Sequence, residues 1–264
     1  MLIDCFTFYN ELELLTYRLN TLINVDYFVI VESTRTHVGT EKRLFYNENK
    51  HLFEDFKDRI IHVIVNDMPH IYPNINVGNH EQWKNENHQR NCIIRGLNQI
   101  NLNDSDLIMI SDLDEIPDRD TLHKIKNNEI IVDFHSLRQS LYYYNLNTKF
   151  NEDWSSFKII TYKCFKNYNL SCNDIRAQTR PVIQQGGWHM SYFGDDVFIK
   201  NKLETFGHQE YNNAEYTDND KIKNRMNGSV DLFGRNMAIS QIAIQDNTYL
   251  PHEYNTYLSR FCKF

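Results

Sequence analysis

The chain has 264 residues, 41% of them hydrophobic, and a formal net charge of -7. That length accommodates one large α/β domain or two small ones around a sizeable core. The acidic balance leaves no broad basic field and excludes a nucleic-acid binder that works through the phosphate backbone, but not a protein that holds a small nucleotide through a metal.

In chain order, Leu2 to Tyr9 reads as a strand. A helix follows from Glu11 to Ile23, capped by Asn10, with Leu12, Leu15, Leu19 and Leu22 on one face. Asp26 to Ser33 is a second strand, and a polar loop runs to Lys42. A short helix is expected over Asn49 to Phe56, a third strand over Arg59 to Asn66, and a loop with two prolines over Asp67 to Asn79. His80 to Ile100 reads as one helix with Trp83, Cys92, Ile93 and Leu97 inward. The apolar run Leu107 to Ile110 is a buried strand leading to Asp112. Four βα units in a row argue for a largely parallel sheet covered by helices on both faces. Beyond about residue 128 the pattern turns to strands, at Ile130 to Asn145, Phe157 to Phe165 and Pro181 to Phe193. Helices are expected near Asp196 to Phe206 and Asp218 to Met226, and Asp246 to Phe264 shows no period. With no Gly/Ser linker and no internal repeat, the expectation is one domain, 1–264, with two lobes, 1–128 and 129–264.

The cysteines (Cys5, Cys92, Cys164, Cys172 and Cys262) lack CxxC spacing and read as free thiols, although Cys164 and Cys172 are close enough in sequence to pair in an oxidising compartment. No apolar run approaches a membrane span, and no leader or anchor is expected, so the expected location is cytoplasmic.

The buried strand ends in three carboxylates, Asp112, Asp114 and Glu115, before Pro117. Acids delivered at a strand's C-terminal end belong at the ligand edge of an open α/β sheet. Asp112 and Asp114 alternate on extended backbone, so both can converge on one hard cation, Mn2+ or Mg2+, with positions left open for phosphate oxygens. The competing reading is that these acids cap the helix Arg119 to Asn127. A ligand facing solvent is expected to matter little for stability. Glu32 and Ser33 emerge at the same sheet edge, where a carboxylate accepts hydrogen bonds from ribose or base, with capping of a turn as the competing role. Arg90, on the preceding helix, either reaches a diphosphate or pairs with one of the acids. No GxGxxG and no P-loop lysine is present.

The second informative stretch is Gly186-Gly187-Trp188-His189 through Asp195-Asp196. The glycines allow close backbone approach to a ligand, Trp188 and Tyr192 offer flat faces for a pyranose, and His189 offers a nitrogen that can join the two aspartates on the metal, with a structural histidine as the competing role. Asp196 or Asp195 is the expected general base, with a helix N-cap as the competing role. His208 and Glu210 are further candidates for the same site, and Glu115 is a further candidate base.

Asp4-Cys5-Phe6-Thr7-Phe8-Tyr9-Asn10-Glu11, Phe28 to Ser33, Ile61 to Pro69, His88-Gln89-Arg90-Asn91, Ser111 to Pro117 and Gly187-Trp188-His189 together resemble glycosyltransferase family 17. This is the family of the β-1,4-N-acetylglucosaminyltransferase that adds bisecting GlcNAc. The resemblance implies a GT-A (Rossmann-like) α/β fold with a mixed, mostly parallel central sheet. It also implies a nucleotide-sugar donor, UDP-GlcNAc by family pattern, a glycan acceptor, a divalent metal and inversion at the anomeric carbon. It places Asp112 and Asp114 in the metal-binding DxD motif, and Phe8 and Glu32 in the donor pocket. The rival readings are a metal-dependent nucleotidyltransferase or phosphohydrolase using the same acids, and a non-catalytic carbohydrate-binding protein.

Overall fold

A computed structural model describes residues 1–263; Phe264, the last residue of the stretch without a period, lies outside the described residues. Four strands with almost unbroken apolar sequence lie parallel in the order β3-β2-β1-β4: β1 (Leu2–Phe8), β2 (Tyr27–Ser33), β3 (Ile60–Val65) and β4 (Leu107–Asp112). Apolar side chains on both faces suit strands covered on both sides. Leu14, Leu15 and Leu19 of the helix Leu12–Thr21 pack with Phe6, Phe28 and Ile30 on one face. Ile93 and Leu97 pack with Val29, Val31 and Val63 on the other.

The sheet continues past β4. After β5 (Glu115–Pro117) come β6 (Phe134–Tyr143), β7 (Thr148–Trp154), β8 (Lys158–Thr161), β9 (Val182–Ser191) and β10 (Ile239–Gln241), completing one ten-stranded sheet. β8 lies antiparallel to β4 and also pairs with β6; β6 in turn pairs with β7 and, in parallel, with β9. β5 runs antiparallel to β9, opposing Glu115 to His189. The fold is thus a mixed α/β arrangement with a mostly parallel first half, as expected.

Several elements differ from the sequence reading. The stretch 49–56 is a 3-10 helix, Lys50–Phe56, preceded by a short α-helix, Phe45–Glu48. The helix expected over 80–100 is two, Glu81–Asn91 and Ile93–Leu97, broken at Cys92 where ψ is -7°. The strand expected to run to Phe165 stops at Thr161, whose side chain accepts from the backbone N–H of Cys164 and starts the helix Tyr162–Tyr168. β7 and the helix Cys172–Ala177 are additional. All five cysteines are unpaired. Among the described residues no helix is long and apolar enough to cross a membrane.

Candidate active site

Arg18 sets the backbone of the acidic loop. Its side chain has no solvent exposure and is held bidentate by Asp4, at 2.6 and 2.8 Å. Its remaining N–H groups donate to the carbonyls of Asp112, Leu113 and Glu115 and to the Ser111 hydroxyl. A buried guanidinium with every donor engaged fixes the turn between β4 and β5 and so aims the carboxylates. These acids do not cap the next helix, because Asp118 does that by accepting from the Asp120 N–H. The capping reading is therefore replaced.

Asp112 and Asp114 line a cleft of about 700 Å³. Asp112 Oδ1 accepts from Arg90 at 3.1 Å and from the Thr7 hydroxyl at 3.1 Å, and its Oδ2 from Arg176 at 2.7 Å. Arg90 also donates to Glu86 and Asn173, so of its two expected roles the structure shows the pairing with an acid. Asp114 Oδ2 accepts from Lys202 at 2.9 Å, and its Oδ1 lies 3.6 Å from His189 Nε2. Lys202 also reaches Glu11 at 3.5 Å.

Burial works to raise the carboxyls of both aspartates, but the cations outweigh it. Arg176 and Arg90 hold Asp112, and Lys202 and His189 hold Asp114, well below the usual carboxylate range. Burial opposes the charges of Arg176 and Lys202 in turn, yet their acid partners raise both above their ordinary values. Burial also pulls Lys42, another lining residue, down to about 8 against the opposing pull of Glu32.

Phe8 and His189 both line the cleft. The His189 ring lies 4.7 Å from that of Trp154, and its Nδ1 is buried with no hydrogen-bond partner among the described residues. His208 also lines the cleft, edge-on to Trp83 and hydrogen-bonded to Glu210 at 2.7 Å; Glu210 itself is exposed and outside the lining. Asp112, Asp114 and His189 are not gathered into a cage. Among the described residues, three donors come within 4.8 Å of one another only at Asp67–His88–Cys92 and Asp118–Asp120–His252.

Other expectations are corrected. Glu32 is fully buried away from the cleft, where it accepts from the Tyr46 N–H and pairs with His62. Ser33 is buried too, and its hydroxyl accepts from the Arg35 N–H. Trp188 offers no sugar platform, because its indole is 1% exposed, stacked on Tyr249 and donating to the Tyr249 carbonyl. The glycines before it serve the sheet: a Cβ on Gly187, at φ +127°, would sit 2.0 Å from the Ile116 carbonyl of β5. Asp195 is the N-cap of the helix Asp196–Thr205, accepting from the Phe198 N–H, and Asp196 lies 3.5 Å from Lys223. Neither lines the cleft. Glu115 is fully buried beneath it, clamped by both Arg176 nitrogens and by the Trp154 indole N–H.

Sequence reasoning missed Arg18, Trp154, Arg176 and Lys202. Arg18 faces inward from the otherwise apolar side of the first helix, and that one charge among leucines was its only local signal.

The arrangement is a cleft at the carboxyl ends of parallel strands, with acids and their paired cations side by side. Comparison with curated proteins finds no match. The family model for glycosyltransferase family 17 matches residues 1–240, a span that includes β1, the acidic loop, β9 and the helices carrying Arg90, Arg176 and Lys202, and the chain belongs to that family of glycosyltransferases.

Proposed function

We propose that the cleft transfers a sugar from a nucleotide-sugar donor, UDP-GlcNAc by family pattern, to a glycan hydroxyl by a single inverting displacement on a GT-A arrangement. In this reading 1–128 is the nucleotide-binding lobe and 129–264 the acceptor-binding lobe, with Arg176 and Lys202 of the second lobe reaching back to the diphosphate. The observation that carries it is the convergence of Arg90, Arg176 and Lys202 on Asp112 and Asp114 in a 700 Å³ cleft. Cations already charged and fixed stabilise a leaving diphosphate without reorganising. Arg176 and Lys202 remain protonated across the neutral range, since the acids beside them raise both.

The donor set also fits a divalent ion by charge. The linked network carries five carboxylates, Glu11, Glu86, Asp112, Asp114 and Glu115, against the three cations Arg90, Arg176 and Lys202. Among these Asp, Glu, Arg and Lys side chains the excess is two negative charges. Asp112 and Asp114 would hold the ion, which when bound supplies Lewis-acid neutralisation of the diphosphate. The remaining work falls to the chain's own groups: Arg90, Arg176 and Lys202 orient the phosphates, and the aromatic wall of Tyr143, Trp154 and Tyr192 shields the reacting carbon from water.

Calorimetry with UDP in Mn2+ and then in EDTA, paired with a nucleotide-sugar screen for UDP release, tests this. Tight binding only with Mn2+ and UDP release from one donor are expected. Equal affinity in EDTA removes the metal, and pyrophosphate or UMP as product removes glycosyl transfer.

A further inference from the structure

Resting on the glycosyl-transfer reading of the cleft, we propose that Glu152 is the general base that takes the proton of the attacking hydroxyl. Six carboxylates line the cleft: Glu11, Glu86, Asp112, Asp114, Glu152 and Asp153. Five are within 4.0 Å of an Arg or Lys: Glu11 and Asp114 of Lys202, Glu86 and Asp112 of Arg90, and Asp153 of Arg138 at 3.9 Å. Glu152, which is exposed, alone has no such partner among the described residues. A carboxylate locked to a cation is a poor proton acceptor, because the cation stabilises its charged form.

The wall of the cleft places this side chain, beside Asp153 and Trp154 of β7. Trp154 pairs with Gln139 across β6 and β7, and Leu141 and Tyr143 follow Gln139 at alternate positions on the cleft side. The β6–β7 register shifts between Ser140 and Tyr142, opposite this stretch, and Glu152 emerges there as an exposed residue of the cleft lining. Asp153 also lines the cleft but has Arg138 at 3.9 Å. The cations that line the cleft are committed elsewhere: Arg235 to Asp231, Lys42 to Glu32, Arg35 to Glu41, and Arg90, Arg176 and Lys202 to the central acids. Among the described residues none of Arg90, Arg176 and Lys202 is ion-paired to Glu152, and a base for inversion must not be held by the groups that bind the leaving diphosphate.

The step balances without a further reagent. The acceptor oxygen bonds to the anomeric carbon, the bond from that carbon to the diphosphate breaks with its electron pair leaving on the diphosphate, and the acceptor proton moves to Glu152.

The test follows UDP release from UDP-GlcNAc with pooled oligomannose and chitooligosaccharide acceptors, together with UDP calorimetry. Glu152→Gln should lower kcat by roughly 10²–10⁴-fold, abolish the acid limb of the kcat–pH profile and leave UDP affinity unchanged. Glu152→Asp should retain an intermediate rate with that limb present. Because Glu152 is exposed, both variants should keep the wild-type melting curve. Glu152→Gln with kcat within a few-fold of wild type, or with the acid limb intact, overturns the assignment while leaving glycosyl transfer standing. A wild-type protein that binds UDP but releases none from any nucleotide sugar overturns the reading beneath it.

Discussion

Arg18 and Asp114 show how far single charges shape this site. Arg18 draws three carbonyls of the 112–115 loop onto one buried guanidinium. Asp114 is 7% exposed and tied to Lys202, which contradicts the expectation of a solvent-facing ligand with little structural weight. Its folded-state carboxyl lies below the unfolded value, so its contribution to stability is present above about pH 4 and is lost as pH falls through the folded value. Asp114→Asn should therefore cost roughly 1–3 kcal/mol at pH 7, and the deficit should shrink below about pH 4. Urea unfolding of both proteins in EDTA at neutral and acid pH measures this, and a deficit that does not change with pH rules the charge out. Asp112 and Asp114 were legible in the sequence because an apolar strand announces its own end. Their partners were not, since Arg176 reaches Asp112 across 64 residues and Lys202 reaches Asp114 across 88, with no local pattern to mark either pairing.

At the scale of elements, the four parallel strands were readable from their continuous apolar runs, whereas β7 was not. Its sequence, Thr-Lys-Phe-Asn-Glu-Asp-Trp, puts only Phe150 and Trp154 on an apolar face, and the position between them is Glu152. The motif around β9 was visible as a pattern but assigned the wrong duty. Gly186 and Gly187 admit neighbouring strands, not a ligand: a Cβ on Gly186 would meet Leu137 at 2.6 Å and one on Gly187 would meet Ile116 at 2.0 Å. Gly187→Ala should therefore destabilise by at least about 1–3 kcal/mol from overpacking, with backbone strain at φ +127° in addition. A thermal midpoint equal to wild type would show that β5 and β9 separate at no cost, and would return the glycines to a ligand-binding role.

For the whole molecule, the question is whether the nucleotide and acceptor halves are independent. Two pairings cross the division near residue 128: β4 with β8, and β5 with β9. The second seats Glu115 opposite His189, and the helix carrying Arg176 reaches back to Asp112 and Glu115. Separating the halves would expose the edge of β4 over Leu107–Ile110 and leave Glu115, Asp112 and Asp114 without two of their three cations. The chain should therefore unfold in urea as one cooperative unit. The three tryptophans report on both sides of the division, Trp83 before it and Trp154 and Trp188 after it. Indole fluorescence and far-ultraviolet circular dichroism should trace coincident transitions, and a 1–128 fragment should neither fold nor bind UDP. Two separated transitions, or a fragment with native circular dichroism and native UDP affinity, would make the first half a self-sufficient nucleotide domain and reduce Arg176 and Lys202 to accessories of its site.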